Sequence, residues 1–465
     1  MRYYLAIDIG ASSGRHILGH MENGKILLEE IHRFPNGMIN KGSELCWDIN
    51  ALFSEIMTGM KKCTALKKIP VSVGVETWGV DFILLDKAGN VLGNTVAYRD
   101  GRTDGMDMEV YKHVPENELY ARTGIQKQSF NTIFQLMALK TKSPRLLEQA
   151  DSLLLVPDYL HGLLCGVRKT EYTNATTTGL VNATGKDWDG DIISRCGYPR
   201  GIFQEIVPAG TVLGTLTEAV IKEVGFDCYV VLPPTHDTAS AFLAVPAMSN
   251  ASVYISSGTW SLMGVERSEP ITTAASRIAN FTNEGGYEYR FRYLKNIMGL
   301  WMIQSVRREL GGSLSFPEIA EMAKASDYQG VIDVDANRFL APASMMDAVK
   351  EACREKGQPP PESGGDILNC IYRSLALSYA RTIKELEELT GKRYTSINII
   401  GGGSQDGYLN ELTARACSLP VYTGPVEGTA LGNIVSQMIK AGDLSGVEAA
   451  RDGIRNSFEI KEVLF

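Results

Sequence analysis

The opening of the chain alternates between an apolar run and a short polar turn, as paired β-strands do. Residues Tyr3–Ile9 are aromatic, aliphatic or β-branched except for Asp8, and a Gly-Ala-Ser-Ser-Gly turn follows at 10–14. The apolar pattern then resumes after the turn. This pattern predicts a β-hairpin with a polar tip, which a second glycine-containing turn extends to three strands over residues 2–34.

Longer segments show the spacing of amphipathic helices. One helix is predicted to begin near 47–49, with Asp48 as its N-cap and Leu52, Ile56 and Met60 along one face. Another is predicted over 366–390, where apolar positions recur at helical spacing and Gly391 ends the helix. Those apolar positions are Leu368, Ile371, Leu375, Ile383 and Leu386.

Short apolar runs alternate with the helical segments through the rest of the chain. Strands are predicted at 71–75, 83–86, 229–232, 252–262 and 397–400, and helices within 103–170 and at 298–310 and 431–440. Residues 173–191 are expected to form an irregular insertion, and a polar segment of no predicted structure runs to about 365. Pro144 and Pro157 mark helix boundaries. The alternation predicts an α/β protein with mixed sheets.

The strand, turn and strand of the opening recur about 245 residues later. Residues 252–262 again hold an apolar run, then Ser-Ser-Gly-Thr, then a second apolar run. The repeat predicts two related domains, 1–245 and 246–440, with a tail at 441–465 that packs back on the body.

Composition narrows the class of protein. The chain has 465 residues, 44% of them hydrophobic and 22% charged, with a net charge of −8. These values are typical of a soluble globular protein of two or three domains. The acidic balance and the lack of a basic block argue against a nucleic-acid partner. No signal sequence and no long apolar run is present, so we expect no membrane partner and a cytoplasmic location.

The eight cysteines are scattered and form no CxxC pair, which excludes the usual zinc spacings. Cys353 and Cys370 flank a proline-rich loop. Both a disulfide between them and a pair of free thiols are compatible with this placement.

Three glycine-rich turns follow predicted strands, at 10–15, 256–259 and 401–404. The first two suit phosphate groups, because glycine and small hydroxyl residues let backbone N–H groups approach an anion. The third precedes a helix and offers a bare backbone to a base or ribose. Each is also compatible with a plain turn, but together they predict a nucleoside triphosphate site. Asp8 is a candidate to hold a divalent cation through water.

His236 and Asp237 end a predicted strand and open a helix of small residues. Asp237 is either a catalytic base or a helix N-cap, and its position after the last strand of the first domain favours the base.

Other nucleotide and hydrolase signatures are missing. The chain has no Walker A, GxGxxG, HExxH or protein-kinase motif. Residues 10–14 match GxSxG, the nucleophile turn of α/β-hydrolases, which is an alternative interpretation. That turn normally follows several strands, whereas this one follows the first.

Several longer stretches resemble the FGGY carbohydrate kinases, a branch of the sugar-kinase, actin and chaperone ATPase superfamily, over nearly the whole chain. They are DIGASSGR (8–15), ETWGVDFILLD (76–86), AYRDGRT (97–103), EYTNATTTGLVN (171–182), HDTASA (236–241), SSGTWSLMG (256–264), NEGG (283–286), LKNIMGLW (294–301) and GGGSQ (401–405). The resemblance implies two ribonuclease-H-like (actin-like ATPase) domains of α/β class, each with a mixed central sheet, and an active site in the cleft between them.

The resemblance also implies roles for single residues. ATP is expected at Ala11, Ser12, Ser13, Gly14, Arg15, Thr259, Gln304 and Gly402. The sugar is expected at Gly79, His236, Asp237, Thr238 and Asn296, with Asp237 as the catalytic base. Ser404 and Asp406 lie where the family varies, so no role is carried over to them.

The activity implied is ATP-dependent phosphorylation of a ketose, L-rhamnulose, at its C1 hydroxyl, with Mg²⁺ bridging the phosphates. The alternatives are a kinase of the same family for another ketose or polyol, such as fuculose or xylulose, and a nucleotide-gated binding protein. The partners expected are ATP and the sugar, in a monomer or small homo-oligomer.

Overall fold

The predicted apolar runs form strands, and the amphipathic segments form helices, in a computed structural model that describes all 465 residues. Up to residue 244 the strands are β1 (Tyr3–Ile9), β2 (Ser13–Glu22), β3 (Lys25–Pro35), β4 (Met38–Lys41), β5 (Glu44–Trp47), β6 (Pro70–Thr77), β7 (Phe82–Leu85), β8 (Val91–Leu92), β9 (Ser152–Leu155), β10 (Thr170–Glu171), β11 (Val181–Asn182), β12 (Asp187–Trp188), β13 (Ile206–Val207), β14 (Val212–Thr215) and β15 (Tyr229–Val231). The helices there are α1 (Ile49–Leu66), α2 (Met106–Tyr111), α3 (Glu116–Thr123), α4 (Thr132–Lys142), α5 (Pro144–Gln149), α6 (Val156–Cys165), α7 (Tyr172–Ala175), α8 (Gly190–Arg195), α9 (Glu218–Val224) and α10 (Asp237–Leu243).

After residue 244 the strands are β16 (Ser252–Ser257), β17 (Trp260–Arg267), β18 (Thr282–Gly285), β19 (Phe291–Met298), β20 (Ser396–Ile400), β21 (Val421–Thr423) and β22 (Lys461–Val463). The helices are α11 (Ala274–Ile278), α12 (Trp301–Glu309), α13 (Phe316–Lys324), α14 (Met345–Glu355), α15 (Gly364–Thr390), α16 (Gly407–Cys417), α17 (Gly428–Ala441) and α18 (Val447–Ser457). None of these helices combines the length and the apolar character needed to span a membrane.

The chain forms two compact units that interleave in sequence. The first comprises Met1–Ala244, Glu266–Tyr293 and Thr429–Ser457, and the second comprises the remaining residues. The chain passes between them within β17 and β19. The division therefore differs from a single boundary at residue 245, because two later segments pack with the first part of the chain.

The first unit is built on a six-stranded mixed sheet in the order β14-β15-β6-β1-β2-β3. Strands β1, β6 and β15 are parallel, and the outer pairs are antiparallel. One face is covered by α1, α6 and α9, whose apolar side chains are buried against the sheet. A separate apolar cluster involves β7, β9 and α4.

The second unit has its own mixed sheet, in which β19, β17, β16, β20, β21 and β22 follow one another. Strand β16 is antiparallel to β17 and parallel to β20, β21 is parallel to β20, and β22 is antiparallel to β21. The first sheet has the same pattern. Strand β1 is antiparallel to β2 and parallel to β6, β15 is parallel to β6, and β14 is antiparallel to β15. The predicted repeat and the α/β class with two mixed sheets are thus confirmed.

The two helices predicted in most detail are confirmed. Asp48 caps α1 by accepting a hydrogen bond from Ala51 N–H at 3.1 Å, and Leu52, Ile56 and Met60 are all buried. Helix α15 begins two residues before its predicted start, at a capping box formed by Ser363 and Asp366. It ends at Gly391, whose φ is 65°.

Three segments differ from their predictions. Residues 173–191 were expected to be irregular, but they form α7, two short strands and the start of α8, and most of their threonines are buried. The helix predicted from residue 298 begins at Trp301, because β19 continues through Met298. The polar segment before 365 contains α13 and α14. Both helices are amphipathic and begin at a serine N-cap, Ser315 and Ser344, so the sequence carried a helical signal here that the prediction missed.

The last residues belong to both units. Helix α18 contributes Ser457, whose hydroxyl accepts a hydrogen bond from Ile26 N–H at 2.8 Å in the first unit. Strand β22 pairs with β21 in the second.

A buried histidine makes the stability of the first unit dependent on pH. His161 Nδ1 lies 2.7 Å from Pro157 O, and its Nε2 accepts a hydrogen bond from Val75 N–H at 2.9 Å. A proton on Nε2 would face that N–H group, and burial lowers the pKa of His161 from 6.5 to about 4. The unfolded chain therefore binds a proton below its own pKa while the folded chain does not.

We expect the stability gained by burying neutral His161 to be complete above about pH 6.5. It should be lost as the pH falls towards 4, at up to about 1.4 kcal/mol per pH unit. In His161→Asn the urea unfolding free energy should fall by about 1–3 kcal/mol at neutral pH, since Val75 N–H loses its acceptor. It should also change less with pH than in the parent. His113→Asn, at an exposed histidine, is the control for a surface substitution. Parallel pH curves for the parent and His161→Asn would contradict this assignment.

Candidate functional site

The carboxyl ends of the parallel strands in the first unit bring three predicted segments to one sheet edge. Asp8 in β1 pairs in register with Glu76 in β6. Thr77 forms a parallel bridge with His236, and Thr77 N–H donates to Thr235 O at 3.0 Å. The first glycine turn, the bend after β6 and the His236–Asp237 segment therefore meet at this edge, where open α/β sheets bind their ligands.

The tip of the first hairpin directs its carbonyl groups towards the protein. Gly10 N–H donates to Ser13 O at 2.9 Å, and Asn36 donates through Nδ2 to Gly10 O at 2.8 Å and through its backbone N–H to Ser12 O at 3.0 Å. Ala11 and Ser12 at the tip are exposed. With three carbonyl oxygens engaged in this way, the tip is suited to an anion.

The glycine at position 14 has a packing reason of its own. A Cβ atom there would lie 2.1 Å from the Phe34 ring of the neighbouring strand β3. The turn leads directly into β2 rather than into a helix. The hydrolase interpretation of 10–14 is therefore wrong, because its nucleophile turn must connect a strand to a helix.

Asp8 is held by a positively charged neighbour. Its Oδ2 accepts hydrogen bonds from Arg15 Nε at 3.0 Å and Nη2 at 2.9 Å. No group of three or more histidine, cysteine or acidic side chains in the chain is placed to hold a metal ion. Asp8 thus offers a single carboxylate, already paired with Arg15, to a hydrated cation.

Gly79 lies in a strained bend after β6. The next residue, Val80, has a φ of 68°, which is unusual for a β-branched side chain. Thr177 fixes the bend by accepting from Val80 N–H at 3.1 Å, and a Cβ on Gly79 would lie 3.0 Å from the same hydroxyl. Strain of this kind is kept only where the surroundings over-determine the backbone, which is typical of ligand sites.

The buried carboxyl of Asp81 also stabilises this bend. Its Oδ2 accepts hydrogen bonds from the indole N–H groups of Trp47 at 2.7 Å and Trp78 at 3.0 Å. Burial raises its pKa to about 6 in spite of these donors. Neither Asp81 nor Trp47 was predicted to belong to the site, although the motif ETWGVDFILLD contains the aspartate.

Asp237 is the first residue of α10, and His236 is the N-cap residue. The alternative in which Asp237 serves as the N-cap is therefore wrong. Its Oδ1 accepts from Thr238 N–H at 2.6 Å and from the Thr238 hydroxyl at 3.0 Å. The Asp237 side chain is 33% exposed beside a His236 side chain that is 12% exposed. A carboxylate in this position is fixed by local donors and remains accessible to a substrate.

Two buried carboxyl groups lie near this segment, and neither was predicted from the sequence to belong to the site. Glu171 accepts hydrogen bonds from the backbone N–H and the hydroxyl of Thr235, at 3.0 and 2.9 Å. Glu76 accepts from the side chain of Asn433. Burial, reinforced by the nearby carboxylates of Asp8 and Asp237, raises the pKa of Glu76 well above its usual range and favours its protonated form.

In the second unit, the tip between β16 and β17 repeats the construction of the first hairpin. Gly258 N–H donates to Trp260 O at 2.8 Å, and two N–H groups at the start of α12 donate to Gly258 O and Thr259 O at 3.0 and 3.2 Å. These donors belong to Leu300 and Trp301. Thr259 at the tip is exposed.

The third glycine turn packs on the strand that leads to this tip. A Cβ on Gly403 would lie 1.9 Å from Ser257 Oγ, and Gly401 has a φ of 82°. The turn begins with a 3-10 segment before α16, so the predicted helix starts slightly later than expected. A solvent-open depression of about 570 Å³ adjoins it and is lined by 423–427, Ser404, Gln405 and Gly407 among others.

The structure divides the remaining predicted residues between the units. Asn296 in β19 and Gln304 in α12 belong to the second unit and are half-buried. Gly402 is exposed, and a Cβ atom at this position would have no neighbouring atom within 4 Å. The second unit thus brings the turns at 256–259 and 401–404 together, and the first unit brings together Gly79 and the 236–238 segment.

Comparison with known families gives two matches that together cover most of the chain. Residues 3–244 match the N-terminal domain, and residues 253–441 the C-terminal domain, of the FGGY family of carbohydrate kinases.

Curated proteins similar to this chain are rhamnulokinases. That of Halalkalibacterium halodurans is 49% identical over 461 residues, covering 99% of this chain and 98% of the relative. The rhamnulokinase of Oceanobacillus iheyensis is 47% identical, with 98% and 97% covered. That of Bacillus subtilis is 40% identical, with 98% and 94% covered.

Solved structures agree in fold. A ligand-bound xylulose kinase from Lactobacillus acidophilus superposes with a TM-score of 0.81 at 15% identity, covering 100% of this chain and 94% of the other. A glycerol kinase from Plasmodium falciparum with ADP gives 0.79 at 14% identity, with the same coverage. At such identities the likeness bears on the fold alone.

Neighbouring glycines of the third turn provide a matched test of its packing. In Gly403→Ala the new methyl group meets Ser257 and must displace it, so we expect a stability loss of about 1–3 kcal/mol, measured by urea unfolding. Gly402→Ala places the same methyl group in open space and should change stability by less than about 0.5 kcal/mol. Equal losses in the two variants would show that the turn does not pack as described.

Proposed function

Because the chain belongs to the FGGY family of carbohydrate kinases, we propose that it transfers the γ-phosphate of ATP to the C1 hydroxyl of L-rhamnulose, giving L-rhamnulose 1-phosphate and ADP. The identity of 40–49% over nearly the full length of curated rhamnulokinases supports this substrate. As a carbohydrate kinase, the chain is not the nucleotide-gated binding protein of the alternative interpretation.

One observation carries the proposed chemistry, namely the position of Asp237. It lies at the carboxyl edge of the first sheet, partly exposed, with Thr238 donating to one of its carboxylate oxygens. Phosphoryl transfer leaves little covalent work to the protein, but the attacking hydroxyl must lose its proton. Asp237 is proposed to accept that proton. A positioned base of this kind contributes about 10²–10⁴-fold to the rate.

The two hairpin tips are proposed to bind phosphate oxygens. In the first unit, Ala11, Ser12, Ser13 and Gly14 would present N–H and hydroxyl groups, and Arg15 adds a positive charge. In the second unit, Thr259 and Gln304 would contact the nucleotide, and Gly402, which is exposed in the third turn, would lie against its base or ribose.

Mg²⁺ is proposed to enter as the complex with ATP. When bound, it neutralises charge on the β- and γ-phosphates. Asp8, paired with Arg15, would orient water near the phosphates rather than ligate the metal directly. Sugar recognition in the first unit is assigned to Gly79, His236 and Thr238, and the role predicted for Asn296 stays a prediction.

We expect Asp237→Asn to lower kcat by about 10²–10⁴-fold, because asparagine cannot accept the hydroxyl proton. ATP binding, measured by calorimetry, should be retained. The control is Glu218→Gln. Glu218 is exposed and is the first residue of α9, as Asp237 is of α10, so this change also removes an acidic group from a helix start. Turnover in Asp237→Asn within a few-fold of the parent would remove Asp237 as the base.

A panel of ketoses tests the substrate by the release of ADP in a coupled assay. L-rhamnulose should give the highest kcat/KM. A higher value for xylulose or fuculose would favour the alternative of a different ketose, and would leave the family and the role of Asp237 untouched.

A further inference from the structure

A fully buried arginine contacts one of the residues assigned to the sugar. Arg292 interrupts an apolar run in β19, and its side chain has no exposed area. Its Nη2 lies 3.0 Å from His236 Nδ1 with hydrogen-bond geometry, and its Nε donates to Gly285 O at 2.8 Å. Glu284 Oε2 forms an ion pair with the same Nη2 at 3.1 Å. The proposed function assigns no role to Arg292 or Glu284.

Resting on the proposed function, we propose that Arg292 and Glu284 are positioning residues that hold His236 as the Nε2–H tautomer, so that His236 donates a hydrogen bond to the sugar beside Asp237. A guanidinium group has only hydrogens to offer. The nitrogen that it contacts, Nδ1, must therefore be the acceptor of the imidazole ring. The ring proton is left on Nε2.

The other tautomer is disfavoured by the same contacts. Its Nδ1–H group would point to Glu284 Oε2, which is 3.4 Å away, and would face the Arg292 Nη2 hydrogens at 3.0 Å. A distance of 3.4 Å is beyond the usual hydrogen-bond range. A doubly protonated ring would bring two cations into contact within a buried site.

Glu284 explains why the arginine can be buried. A buried guanidinium group is stabilised by an ionised partner. Burial would raise the pKa of Glu284, but the pKa is lowered instead, and the charge of Arg292 is the largest opposing cause. Glu284 thereby remains ionised and keeps the charge of Arg292 paired.

The proton on Nε2 lies towards the proposed base. His236 Nε2 is 3.5 Å from Asp237 Oδ1, which is too long for a direct hydrogen bond. A sugar hydroxyl between them would accept from Nε2–H and donate to the carboxylate. This order of donor and acceptor suits an attacking hydroxyl, and it leaves Asp237 as the group that takes the proton.

The backbone of this segment is fixed separately from the ring. Thr235 is bound through its N–H and hydroxyl to the buried Glu171, and His236 N–H donates to Thr173 Oγ1 at 3.3 Å. Loss of Arg292 should therefore alter the tautomer of His236 more than its position.

The direct test is nitrogen NMR of the full-length protein labelled with ¹⁵N-histidine. The chain has six histidines, and His236→Asn identifies the signal. We expect Nε2–H in the parent, in Glu284→Gln and in Arg292→Lys, because lysine also only donates. Arg292→Met should move the proton to Nδ1, towards Glu284. An Nδ1–H tautomer in the parent would overturn the inference, whether or not Arg292→Met folds.

Kinetics provide a second readout. Arg292→Met should raise KM for L-rhamnulose by about 10- to 100-fold, with kcat and KM for ATP changed much less, since a donor to the bound sugar is lost. Arg292→Lys should restore most of the affinity. The control is Arg451→Met, at an arginine that is 3% exposed and paired with Glu266. It should lower stability without this selective change in KM.

The outcomes separate the two levels of the proposal. A parent enzyme without ketose kinase activity would overturn the proposed function. An active parent in which Arg292→Met raises KM for ATP as much as KM for the ketose, or in which Arg451→Met gives the same selective change, would overturn the positioning role alone.

Discussion

The parallel pairing of β1, β6 and β15 is the constraint on which the candidate site depends. Hydrogen bonds in a parallel sheet fix which residues lie side by side, so the register that places Asp8 beside Glu76 also places Thr77 beside His236. Three turns that are far apart in sequence leave the sheet at one edge as a result. Each can be short and functional, because the sheet and not the turn sets its position.

Buried polar groups then refine what the sheet has positioned. Glu171 fixes Thr235, Asp81 fixes the bend after β6, and the Arg292–Glu284 pair reaches the His236 ring. A buried polar group without a partner is costly, so such contacts are specific and hold a single geometry. The strained backbone of Val80 is tolerated because its neighbours leave it no alternative.

The second unit uses the same construction for a different surface. Its parallel strands β16 and β20 end side by side, and the turns that follow them pack together through Ser257 and Gly403. In both hairpins the carbonyl groups of the tip are bound by donors from elsewhere in the same unit. The repeat is therefore one of hydrogen-bonding pattern as well as of strand order, although few letters of the sequence repeat.

The sequence by itself determined the α/β class, the two hairpins, the faces of α1 and α15, the three glycine turns and the place of Asp237 at the start of a helix that follows the last strand of the first domain. These follow from local periodicity, capping and turn residues, which act over a few positions. Only the tertiary structure decided that 266–293 and 429–457 join the first unit, that Gly14 is required by Phe34, and that Arg292 reaches His236. Such contacts join residues distant in the chain, and no local pattern encodes which partner a buried side chain will meet.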